Sequence, residues 1–118
     1  MKLEKIKIQK GSNIQYLSRE LLFLAQSGQP YRGVIYVNFT SEGETFNLLD
    51  FKKYITSLRS QKFYAEDIAF EIYQTILNSI STSTLGVVVD LTARGGVQQR
   101  ISYGKNFEVI QKENIFQL

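Results

Sequence analysis

Leu85-Gly86-Val87-Val88-Val89-Asp90-Leu91-Thr92-Ala93-Arg94-Gly95-Gly96-Val97-Gln98-Gln99-Arg100-Ile101-Ser102-Tyr103-Gly104 reads as a long antiparallel hairpin. Leu85 to Val89 is apolar and rich in β-branched residues, which suits a strand buried on at least one face. Gly95-Gly96 admits positive φ, so the chain can bend or bulge there. After the bend, Val97, Gln99, Ile101 and Tyr103 alternate with Gln98, Arg100 and Ser102, the period-2 pattern of a strand. Arg94 stands at the bend, where a fixed cation can meet a carboxylate, an anion or a base edge. The competing reading of Arg94 is a solvated or salt-bridged turn residue.

Outward from the hairpin, the chain alternates between strand and helix patterns. Lys5 to Gln9 alternates charge and apolar side chains and predicts a short strand, with Ile6 and Ile8 on one face. Ile14, Leu17, Leu21 and Leu22, with Leu24 nearby, recur at helical spacing after a Ser12 or Asn13 cap, which predicts a short helix between Asn13 and Ala25. Ser27-Gly28-Gln29-Pro30 is a turn and holds the only proline. Arg32 to Thr40 predicts a central strand, with Ile35 and Val37 on one face and Val34, Tyr36 and Asn38 on the other. A loop follows at Ser41–Glu44.

Leu48, Phe51, Tyr54, Ile55 and Leu58 predict a helix over Phe46–Leu58, with Asn47 as its N-cap. Ile68, Ile72, Ile76 and Ile80, at four-residue intervals, predict a second helix over Tyr64–Ile80, and its Ile stripe is core packing. Glu66 and Asp67 fall in its first turn, where the helix dipole favours negative charge. Ser81–Thr84 leads into the hairpin. Phe107, Val109 and Ile115-Phe116 are apolar enough to pack on the body or on a neighbour.

The 118 residues suit a single domain spanning 1–118. The order of strands and helices predicts an α+β, two-layer domain with both long helices on one face of an antiparallel sheet. Val34, Tyr36, Val88 and Val97, on the other face, are too apolar for a wet surface, which predicts a homo-oligomer.

Composition narrows the chemistry. The chain has no Cys and no His. That removes thiolate and imidazole nucleophiles, His general bases and zinc sites built on either residue. No clustered Asp/Glu pattern suggests a hard-cation site, so no metal is expected. A net charge of +3 from dispersed cations permits an anionic ligand or nucleic acid without arguing strongly for either. No apolar run approaches the roughly 18 residues of a membrane span, and the N-terminus lacks a secretion-signal core. A cytoplasmic location without membrane association is the expectation.

Ser27-Gly28-Gln29-Pro30, then Val34-Ile35-Tyr36-Val37, Tyr64-Ala65-Glu66-Asp67, Ala93-Arg94-Gly95-Gly96 and Tyr103-Gly104 follow in this order along the chain. Together they resemble the QueF family, tunnelling-fold (T-fold) reductases that convert 7-cyano-7-deazaguanine to its aminomethyl form in queuosine biosynthesis. The resemblance covers roughly Glu20 to Lys105. It implies a T-fold-like domain and assembly into a ring or larger oligomer. It also implies a purine or 7-deazapurine ligand, with Glu66 as the anchoring carboxylate, Phe63 or Tyr64 stacking on the base, and Arg94 in support.

The departures from the family are as informative. The family's nucleophilic Cys falls at Leu24, its proton-donating acid at Tyr31, and its His at Ala65. Its NADPH-associated motif on the first long helix maps onto Asn47–Tyr54, where Phe51, Lys52 and Tyr54 fit but the leading Glu and first Lys are gone. A thioimide intermediate needs a thiolate, which this chain lacks. The expectation is therefore a QueF-like binder with no catalytic residue, no NADPH and no nitrile reductase activity. The alternatives are a structural or interaction module, or a non-catalytic subunit, that keeps the fold without the pocket. A relative of the QueF-like amidinotransferases, which make archaeosine in tRNA, is a further alternative, though that branch also uses the Cys.

Overall fold

The structure is a computed structural model that describes residues 2–109. Ile115-Phe116 lies outside the described residues. Six strands and two helices appear in the order β1 (Lys5–Lys7), β2 (Asn13–Leu24), β3 (Pro30–Thr40), β4 (Glu44–Phe46), α1 (Leu48–Ser57), α2 (Ile68–Leu77), β5 (Gly86–Arg94) and β6 (Val97–Gly104). Short 3-10 turns, Leu58–Ser60 and Ala65–Asp67, follow α1 and precede α2. The main sheet is antiparallel, ordered β2-β3-β5-β6, and β1 pairs separately with β4. No helix among the described residues is long and apolar enough to cross a membrane.

The hairpin at residues 85–104 forms as its alternation predicts. Val87 pairs with Tyr103, Val89 with Ile101 and Leu91 with Gln99. Gly95 and Gly96 both take positive φ at the bend, a conformation costly for any residue with a Cβ. Alternation then separates two faces. Ile35, Val37 and Phe39 of β3, with Val87, Val89 and Leu91 of β5, enter one core with Phe51, Tyr54 and Ile55 of α1 and Ile68, Ile72 and Ile76 of α2. Both helices therefore cover the same face. α1 is capped as its sequence predicts, the Asn47 side chain accepting from the Asp50 N–H at 3.0 Å.

The helix predicted between Asn13 and Ala25 is instead strand β2, paired along its length with β3. The cause is a β-bulge. Ser18 faces Ile35 and Leu21 faces Gly33, so Arg19 and Glu20 together oppose Val34. One extra residue reverses the alternation. Ile14 and Tyr16 pack on the core before the bulge, and Leu21 and Phe23 enter it afterwards. A period-2 strand interrupted once puts apolar residues at 14, 17, 21 and 24, which imitates a helix face. The second helix is also shorter than its pattern suggests. It begins as a 3-10 turn containing Glu66 and Asp67, and Ile80 is buried beyond its last turn.

The sheet face away from the helices also differs from expectation. Tyr36 and Val88 are already buried within the chain, at 3% and 6% exposure, whereas Val97, expected on this face, is in phase with Gln99 and Ile101 on the helix side and is 63% exposed on its edge strand. Arg100 reaches back over Asp90, donating from Nη2 at 2.8 Å. Beyond β6 the chain returns across Gly86, where a Cβ would meet the Lys105 carbonyl and the Phe107 ring. These internal covers explain why the apolar face is less open than its composition implies.

Candidate functional site

The strands end together at one end of the sheet. There Leu24 closes β2, Pro30 and Tyr31 open β3, Arg94 closes β5 and Gln99 lies early in β6. The link from α1 to α2 is tied to the same end. Leu24 N–H donates to the Gln61 carbonyl and Phe63 N–H to the Leu24 carbonyl, both at 2.9 Å. This places Phe63, Tyr64 and Glu66 beside the strand ends.

An aromatic floor lines that end. Phe23, fully buried, stacks on Tyr31 with ring centroids 5.3 Å apart, and meets Phe63 edge-on at 6.0 Å. Such offset and edge contacts suit the ring quadrupoles. Phe63 is half-buried by this packing, whereas Tyr64 is 62% exposed. Of the two predicted stacking residues, Tyr64 is thus the one open to a ligand.

Arg94 is not a loose turn residue. Its Nη1 donates to the Pro30 carbonyl at 2.7 Å and its Nη2 to Gln29 Oε1. The guanidinium lies 4.3 Å from the centre of the Tyr31 ring, a cation–π contact. The Gly-Gly bend therefore holds the Gly28-Gln29-Pro30 turn in place through one side chain.

Glu66 is exposed, and one of its oxygens accepts from Gln99 Nε2 at 2.9 Å. Its other oxygen has no hydrogen bond among the described residues. An ionised carboxylate can accept several hydrogen bonds, so it retains capacity for a donor edge. Gln99 faces this site because it shares the inward register of Leu91. The alternation in β6 carried that signal, although Gln99 did not stand out among its neighbours by residue type. Glu66 and Arg94 share no direct contact; each is fixed by a separate partner.

The catalytic and cofactor positions read differently. Leu24 offers no nucleophile, and Tyr31 is occupied by its stack and by Arg94. On α1, Phe51 and Tyr54 are core residues, and Asn47 serves as helix cap. Leu49, where the motif's first Lys would stand, is an exposed apolar side chain. Only Lys52 remains available, along a groove of about 560 Å³ between α1 and β2. These residues do not fit a nicotinamide dinucleotide as the motif would. No cluster of metal-binding carboxylates occurs among the described residues.

A family described as QueF-like protein matches residues 30–108. The NADPH-dependent 7-cyano-7-deazaguanine reductase of Rickettsia canadensis (strain McKiel) is 34% identical over 71 residues, which make up 60% of this chain and 25% of that protein. The chain thus spans about a quarter of that curated relative's length. The crystal structure of the archaeosine synthase QueF-Like in the apo form superposes with a TM-score of 0.75 over 82% of this chain and 96% of that one, at 16% identity. That likeness shows a shared fold, the T-fold-like arrangement of two helices on an antiparallel sheet.

Proposed function

This chain belongs to the QueF-like protein family, and on that premise we propose that it binds a purine or 7-deazapurine base without reducing a nitrile. The observation carrying this reading is Glu66. It is an exposed carboxylate held by Gln99 through one oxygen only, at the mouth of an aromatic floor. Glu66 accepts from the donor edge of the base, Tyr64 stacks on it with Phe63 packed below, and Arg94 keeps the Gly28–Pro30 turn from closing over it. The chain supplies no thiolate to attack a nitrile, because it contains no Cys. Exposed Leu48 and Leu49 on α1, Phe70 on α2 and Val97 on the edge strand β6 support assembly with further copies.

One observation favours the second reading, a structural or interaction module. The grooves of about 560, 360 and 490 Å³ are lined by residues other than Glu66, Phe63, Tyr64 and Arg94. Native mass spectrometry with guanine and 7-cyano-7-deazaguanine separates the two and counts the copies. On the binding reading, one base adds per protomer, and Glu66→Gln weakens it about tenfold to a hundredfold, the range for losing a charged hydrogen bond of about 1.5–3 kcal/mol. A wild-type protein that takes up neither base leaves only the module.

A further inference from the structure

The helix-free face of the sheet carries a second polar site, behind the strand ends and on the opposite face from Glu66 and Gln99. The bulge in β2 puts Arg19 and Glu20 opposite Val34, and Val34 pairs with Asp90, which pairs with Arg100. Arg19, Val34, Asp90 and Arg100 therefore form one row across all four strands. Arg32 lies two residues along β3. A concavity of about 490 Å³ opens over this row, lined by Arg19, Arg32, Tyr36, Asp90, Thr92 and Gln98. It falls within the size range of small-ligand sites.

The charges here are unbalanced. Arg19 and Arg32 line the concavity with Asp90, Arg100 pairs with that carboxylate from β6, and Glu20 is drawn towards Arg59 of the α1 side instead, 3.6 Å away. Asp90 is only 9% exposed. It binds Arg100 through both Nε and Nη2, which fixes that guanidinium's plane and leaves its Nη1 edge without a hydrogen bond among the described residues. The guanidinium of Arg32 makes no hydrogen bond or ion pair among the described residues. An arginine held side-on by a buried carboxylate loses less rotamer freedom when it meets an anion. Gln98 adds a neutral donor to the lining of the concavity, while the Thr92 hydroxyl is committed to the Arg32 carbonyl.

We propose that this face is a binding site for the phosphate group of a nucleotide-sized ligand. Guanidinium groups converging from separate strands suit a tetrahedral dianion, whose oxygens can each take a charge-assisted hydrogen bond. The site is independent of the base site at Glu66 and stands if that one fails.

The test is a nuclear magnetic resonance titration at constant ionic strength. Inorganic pyrophosphate is one arm and uridine 5′-monophosphate the other, since a pyrimidine separates this face from the purine reading. Saturable shifts centred on Val34, Asp90 and Gln98 are expected in both arms. Arg32→Ala should weaken binding about tenfold, and Arg100→Lys, which keeps the charge but loses the fork, should weaken it several-fold. Lys53→Ala, removing an exposed cation on α1, should leave it unchanged. Absence of saturation overturns the proposal, as does undiminished binding in Arg32→Ala or equal weakening in Lys53→Ala. So does a short RNA that binds without being displaced by pyrophosphate, because the face would then read a polymer instead.

Discussion

Arg94→Ala tests whether the bend between β5 and β6 organises the loop at the head of β3. The substitution removes the donors to the Pro30 carbonyl and to Gln29 Oε1, and the guanidinium over Tyr31. Hydrogen bonds from a charged donor contribute about 1.5–3 kcal/mol when buried. Arg94 is only half-buried, so each is discounted to about 0.5–1 kcal/mol. An exposed cation–π contact adds about 0.5–1 kcal/mol. The expected loss is about 2 kcal/mol, read from urea unfolding at fixed protein concentration. Arg94→Lys should recover less than half, because an ammonium group cannot span two acceptors and lie flat on a ring. A double-mutant cycle with Gln29→Ala should give a coupling of about 0.5–1 kcal/mol. A loss under about 0.5 kcal/mol with no coupling would show that Arg94 is a solvated turn residue and that the contacts seen here carry no stability.

Two further predictions concern the core. In Gly33→Ala, the new Cβ would overlap the Asp90 carbonyl oxygen and lie 2.9 Å from a Leu91 methyl carbon. A ladder carbonyl cannot step aside cheaply, so urea unfolding should show a loss of about 1–3 kcal/mol, the usual range for overpacking; an unchanged midpoint would contradict the close strand approach. Burial holds the Tyr54 hydroxyl protonated well above the ordinary tyrosine range, while it donates to Glu71 Oε2 at 3.0 Å. Unfolded, Tyr54 ionises near 10, so its contribution is fully present below about pH 10 and declines as pH rises towards the folded value. Over that window the stability of the wild type relative to Tyr54→Phe should fall by as much as about 1.4 kcal/mol per pH unit; a difference that stays flat from pH 9 to 11 would contradict the burial.

The way β2 was hidden shows what the sequence can and cannot disclose. Local pattern is readable where one register runs unbroken, as in Val97–Tyr103, and where a cap acts on its own helix, as at Asn47. Each signal there is carried by residues that also touch. At Arg19-Glu20 the signal fails because the bulge is a property of the pair of strands: nothing in β2 alone says that Val34 will face two residues. The candidate site divides the same way. Arg94, Glu66 and the aromatic residues were visible as types at telling positions. Their partners Pro30, Gln29 and Gln99 depended on which strand ends meet.

The bulge also places charge. With the alternation unbroken, Arg19 and Glu20 would both have been committed by the phase of Ile14 and Tyr16, one to each face. The inserted residue instead lets Leu21 and Phe23 return to the core while Arg19 reaches the concavity on the helix-free face and Glu20 turns towards Arg59. The same irregularity that made β2 resemble a helix thus returns apolar residues to the core while leaving Arg19 on the helix-free face. It seats Phe23 under Tyr31 and Phe63 at the strand ends, and leaves an arginine-rich row behind them. If the row binds phosphate, the bulge serves both faces. Its position then follows from the need to supply Phe23 to one and Arg19 to the other, a demand that no regular strand of this length can meet.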